Sequence, residues 1–167
     1  PMFKEHPGSP WQIPPEAMDA QQRALVEHIL SGPRGRVPPN LLIWLNDIEF
    51  AKVAEKFGEY VSQLAPFAPR QKEIVILGVA AFFASDFEWH FHAPLARKHG
   101  LTDAQIDAIR AQRDPGLADP VDAASWALVT ALLSGKGVSD ALHAQAMQHL
   151  GHKGVQDIIG LMGLYTM

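Results

Sequence analysis

The longest apolar run of the chain, Ile74 to Ala84, sets the terms for everything around it. It is far shorter than the roughly 20 residues a membrane helix requires. No period-2 alternation surrounds it, here or elsewhere in the chain. Pro66 and Pro69 punctuate the sequence just before it. The segment from Arg70 to Ala84 therefore reads as a long buried helix, with Ile74, Leu77, Ala80 and Ala81 facing inward and Gly78 interrupting it. A helix this apolar must be wrapped by other elements. Few polar residues break it, which makes Glu73 in its first turn conspicuous. An acid there can simply complement the helix dipole.

The other elements carry helical signatures. Pro15-Glu16 reads as a helix start, with Leu25, Val26 and Ile29 as its stripe and an end near Ser31-Gly32. Leu41 to Leu45 is a turn or two of buried helix. Asn46 or Asp47 is placed to cap a further helix to about Leu64, with Phe50, Val53, Ala54, Phe57, Val61 and Leu64 as the expected apolar stripe. A helix over the Asp86 region ends at Gly100. Thr102 and Gln105 form a capping box for a helix to about Gln112. Further helices are expected over Val121 to Ser134, from the Ser139 cap to Leu150, and from about Lys153 to Leu164. The expected fold is all-α, with seven or eight helices. Residues 1–14, holding Pro7, Pro10 and Pro14, read as an irregular N-terminal arm, and 15–167 as a single domain. The polar, proline-rich opening does not read as a signal peptide, and nothing near Pro1 supports a catalytic N-terminal proline.

Composition narrows the chemistry. The 167 residues include no cysteine, which excludes disulfides, thiolate metal sites and thiol nucleophiles. A formal net charge of −4 gives no basic footprint for nucleic acid. Only 19% of residues are charged, which favours oligomerisation. A cytoplasmic location is the default expectation.

The densest concentration of reactive side chains is Ser85-Asp86-Phe87-Glu88-Trp89-His90-Phe91-His92. On a helix, Glu88 and His92 are four residues apart and share a face. They could move a proton, hold a metal ion, or form an ordinary surface pair. His90 makes His-x-His with His92, but a helix points the two apart, so the metal signal is weak. Pro94 cannot donate to the carbonyl of His90, so the helix is expected to kink or restart there. Upstream, Gly32-Pro33-Arg34-Gly35-Arg36 is a stiff basic loop. It reads as a solvated connector or, through Arg34, as a carboxylate clamp. The dinucleotide, P-loop, zinc-protease and serine-hydrolase signatures are absent from the sequence.

Taken together, Arg70-x-x-Glu73, the apolar helix, and Glu88-Trp89-x-x-His92-x-x-x-Ala96-x-x-x-Gly100-Leu101-Thr102-x-x-x-Ile106-x-x-Ile109 resemble the carboxymuconolactone decarboxylase / alkylhydroperoxidase D-like family. Ser31-Gly32-Pro33-Arg34-Gly35 and Asp157-Ile158-Ile159-Gly160-x-x-Gly163-x-Tyr165 resemble its cysteine-free branch. The resemblance spans roughly residues 25–165. It implies an alkylhydroperoxidase D-like helical bundle that assembles as trimers or hexamers, with the site near subunit contacts. Ser85 and Glu88 stand where the peroxidase branch has its two cysteines, so thiol-dependent peroxide reduction is not available. What remains implied is cofactor-free lyase or isomerase chemistry on a small carboxylated or lactone-like substrate of aromatic catabolism, with no metal. Glu73, Glu88 and His92 would be catalytic, Glu73 orienting His92. Arg34, Trp44, Trp89 and His90 would contact substrate. The alternatives are a metal site built on Glu73, Glu88, His90 and His92, and a non-catalytic helical oligomer in which Glu88 and His92 hold a subunit contact.

Overall fold

The computed structural model describes residues 10–167. The arm expected over 1–14 is therefore described only from Pro10, and Pro1 and Pro7 lie outside the described residues. Among the described residues there are nine α-helices, eight of them seven residues or longer, and no strand. The all-α expectation holds. None of these helices is long and apolar enough to cross a membrane. The chain divides into two compact units, one ending at Leu64 and the other running from Ala65 to Met167.

The first unit holds α1 (Ala20–Ser31), α2 (Pro39–Trp44) and α3 (Ile48–Glu59). The helix expected from Pro15 begins only at Ala20, because Pro15–Ala17 forms a single 3-10 turn. The start is set by Asp19, whose carboxylate accepts the Gln22 amide at 2.9 Å while its own amide donates to the Gln22 side chain at 2.7 Å. That capping box satisfies two amides a bare helix end would leave unpaired. Of the two candidate caps, Asn46 and Asp47, it is Asp47 that caps α3. After Glu59 the chain passes into a π-helical turn over Tyr60–Leu64.

The buried face of α3 differs from the expected stripe. Ala51, Ala54, Glu55 and Gly58 are buried, with Val61 in the turn that follows. Phe50, Phe57 and Leu64 are exposed, and Val53 is 71% exposed. Ala54 and Val61 belong to the expected stripe, and the small Ala51 and Gly58, which it left out, allow close approach of another backbone.

The second unit is built around α4 (Pro69–Phe82). Helices α5 (Asp86–Lys98), α6 (Asp103–Arg110), α7 (Pro120–Ser134) and α9 (Gly151–Thr166) all pack against it, and α8 (Asp140–His149) lies against α7 and α9. Every residue from Glu73 to Ala80 is buried, but the helix expected to run to Ala84 stops at Phe82, and Phe82, Phe83 and Ala84 are exposed. Gln71 donates to Ser125 of α7 at 3.0 Å, and Arg70 donates to Asp122 at 2.6 Å and also to the Gly100 carbonyl. Polar residues in the first turn of α4 thus fix the ends of α5 and α7.

Two features of the α4–α5 corner place the reactive stretch. Ala84 adopts φ 52°, a left-handed conformation that costs about 1–2 kcal/mol for a residue with a Cβ. It turns the chain so that the Ser85 hydroxyl accepts the Glu88 amide at 3.3 Å and starts α5. Secondly, α5 does not restart at Pro94. It runs unbroken from Asp86 to Lys98 with Pro94 inside it. The buried Ala93 and Ala96 lie in the core with Ile74 and Leu77, and that packing holds the helix together where one backbone hydrogen bond is missing.

Candidate functional site

Glu73 lies in the first half of α4, where the helix is buried on every side, and its carboxylate is almost wholly enclosed. His92 lies in the middle of α5, between buried Ala93 and half-buried Phe91. The packing of α5 on α4 brings Glu73 Oε2 within 2.8 Å of His92 Nδ1. A carboxylate can only accept, so Nδ1 carries the hydrogen and the neutral ring is left with a bare Nε2. That nitrogen faces Glu88 Oε2 at 3.5 Å, one turn earlier on α5. The shared face expected for Glu88 and His92 is therefore present, and Glu73 meets the same ring from the other side.

A fourth group completes the cluster. The Tyr165 hydroxyl, in the last turn of α9, lies 3.2 Å from His92 Nε2, and the two rings meet edge to face at 5.3 Å. Tyr165 was not among the residues singled out as a site. Its signal was helical spacing: Ile158, Leu161 and Met162 are buried, and Tyr165 continues that face of α9.

Enclosure grades across the cluster. The Glu73 side chain is 2% exposed, that of His92 11% and that of Glu88 23%. One carboxylate is thus locked behind the ring, while the other stands on the more open side. A histidine whose tautomer is fixed from behind and whose free nitrogen faces a second acid and a phenol can take up or deliver a proton at Nε2. Among the described residues no three His, Asp or Glu side chains are grouped to hold a metal ion.

Of the remaining candidates, His90 and Trp89 belong to the second unit and Trp44 and Arg34 to the first. His90 is exposed beside Phe91, 5.6 Å between ring centroids. Trp89 packs on the core of the second unit, and the Arg110 guanidinium lies over its ring at 4.9 Å. Trp44 and Arg34 belong to the first unit. Trp44 packs on that unit's core and meets Phe50 edge to face.

Arg34 is engaged inside the first unit, its Nε 3.5 Å from Glu55 Oε1. Burial raises the Glu55 carboxyl above its ordinary value of 4.5. Arg34 opposes that shift, Glu59 adds to it and His28 opposes it. The folded chain therefore holds this proton more tightly than the unfolded chain, and ionising Glu55 costs stability. Its contribution is fully present below pH 4.5 and is lost as pH rises through the raised value. Glu55→Gln should remove the effect. Between about pH 4 and about pH 7, wild type is expected to lose stability relative to Glu55→Gln, read as urea midpoints of both proteins across that range.

Comparison with curated proteins found no match. A family model does match: that of the carboxymuconolactone decarboxylase family, over residues 49–131. The matched segment runs from the start of α3 through most of α7 and includes Glu73, Glu88 and His92, while Arg34, Trp44 and Tyr165 lie outside it. With an all-helical fold and that match, the chain belongs to the carboxymuconolactone decarboxylase family.

Proposed function

We propose that this chain is a cofactor-free lyase or isomerase that moves a proton with His92 on a small carboxylated lactone of the muconolactone type, a substrate of aromatic catabolism. The observation that carries the reading is the 2.8 Å contact between the buried Glu73 carboxylate and His92 Nδ1, which leaves Nε2 as the working atom. A carboxylated lactone loses CO2 when the electron pair of the breaking C–C bond passes into the conjugated system as a dienolate. A carbon of that dienolate must then be reprotonated. Imidazolium His92 supplies the proton from Nε2. Glu73 stabilises the positive ring, as a buried carboxylate behind a histidine does in other proton-transfer sites. Glu88, also facing Nε2, favours the charged ring and replenishes its proton from the more open side.

The same reading includes a cytoplasmic homo-oligomer. Its oligomeric part is supported by the apolar residues left exposed on α3 and at the end of the turn after it, Phe50, Val53, Phe57 and Leu64.

The test is direct. Purified protein is incubated with a carboxylated muconolactone in D2O. Release of CO2, with one solvent deuteron on a product carbon, is the expected outcome. An intact lactone after prolonged incubation with folded protein would rule out this substrate class.

A further inference from the structure

We propose that Tyr165 is a catalytic residue, the last carrier of the proton between His92 Nε2 and the substrate. The inference rests on the proton-transfer reading of His92 and extends it to a residue that the family match does not reach. Among the described residues, Nε2 is faced by the Tyr165 hydroxyl at 3.2 Å and Glu88 Oε2 at 3.5 Å. They are not equivalent. A carboxylate only accepts, so Glu88 can pair with Nε2 only when the ring is charged. A phenol donates as well as accepts. It gives its O–H to the bare Nε2 of neutral His92 and accepts from the N–H of the imidazolium. Tyr165 alone of the two can serve the ring in both protonation states.

The position also matters. With Tyr165 on Nε2, the lone pair of the neutral ring is already occupied. The phenol oxygen that pairs with Nε2 is then placed to pass the proton between that nitrogen and the substrate. Helix α9 holds it there, with Asp157, Ile158, Leu161 and Met162 buried along the same helix. The step then balances without a phenolate. As the dienolate carbon takes the phenolic proton, the O–H bond breaks and a C–H bond forms from the dienolate electron pair. In the same motion the phenol oxygen takes the Nε2 proton of the imidazolium. The ring becomes neutral, the phenol is restored and the substrate's negative charge is gone.

Tyr165→Phe removes one oxygen from a half-buried side chain and leaves the ring contact with His92 in place. Two readouts are taken on it: turnover of the carboxylated lactone, and the 15N resonance of His92 Nε2 in the neutral state. The expected result is a fall in kcat of about 10²-fold with KM little changed, together with a displaced Nε2 resonance. A displaced resonance with wild-type kcat would overturn the proposal, leaving Tyr165 as a neighbour of the ring only. An undisplaced resonance would overturn it whatever the kinetics. If wild type leaves the lactone intact, the substrate reading fails by itself. An Nε2 resonance unmoved by Tyr165→Phe would then still overturn the proposal, and a displaced one would support the contact on which it rests.

Discussion

His92→Gln is expected to lower CO2 release from a carboxylated lactone by about 10²–10⁴-fold, the range that removal of a positioned acid–base group produces. Glutamine keeps a polar side chain against Glu73 but has no group that gains and loses a proton near neutral pH. The loss should appear in kcat and kcat/KM together, since the proton moves only in the transition state. Thermal unfolding of the variant checks that the α4–α5 packing survives. Turnover undiminished in a folded His92→Gln protein would remove His92 from the chemistry.

The largest effect on stability is expected at Gly78. A Cβ added there would sit 2.9 Å from Val129 Cγ1 and 3.4 Å from Trp126 Cζ3, both on α7. Val129 is fully buried and cannot yield without shifting α7. Alanine would gain about 1 kcal/mol of helix propensity and spend it against that contact. Valine adds two further methyl groups in a space already closed and is stiff at χ1. Gly78→Val is expected to destabilise the protein by roughly 3 kcal/mol or more, seen as a drop in the urea midpoint. The glycine that interrupts the apolar run on paper is a point where α4 and α7 lie too close for a Cβ between them.

That residue illustrates what could and could not be read from the chain. Helical spacing and capping chemistry are local, so the all-α fold, the buried α4, the Asp47, Ser139 and Thr102 caps and the Glu88–His92 face were legible. The start of α1 was misplaced because Pro15 resembles a first helical residue, while the Asp19–Gln22 box four residues on determines the start. Of the stripe expected for α3, Ala54 and Val61 are buried, but Phe50, Val53, Phe57 and Leu64 are exposed and the small Ala51 and Gly58 take their place. Of the kink or restart expected at Pro94, the restart did not occur, because tertiary packing around Ala93 and Ala96 outweighs one lost hydrogen bond. In the cluster itself, Glu88 and His92 are one turn apart and could be paired by counting. Glu73 was reached through the family resemblance, and its contact with Nδ1 arises only when α4 packs on α5. Tyr165 lies 73 residues from His92 along the chain, and no spacing rule links positions that far apart.

The tautomer of His92 is the claim on which the rest depends, and 15N NMR of histidine-labelled protein reads it directly. The expected spectrum has neutral His92 protonated at Nδ1 and bare at Nε2, reverting toward a mixture of tautomers in Glu73→Gln. A neutral His92 protonated at Nε2, or a tautomer indifferent to Glu73→Gln, would contradict the assignment of Nε2 as the atom that transfers the proton.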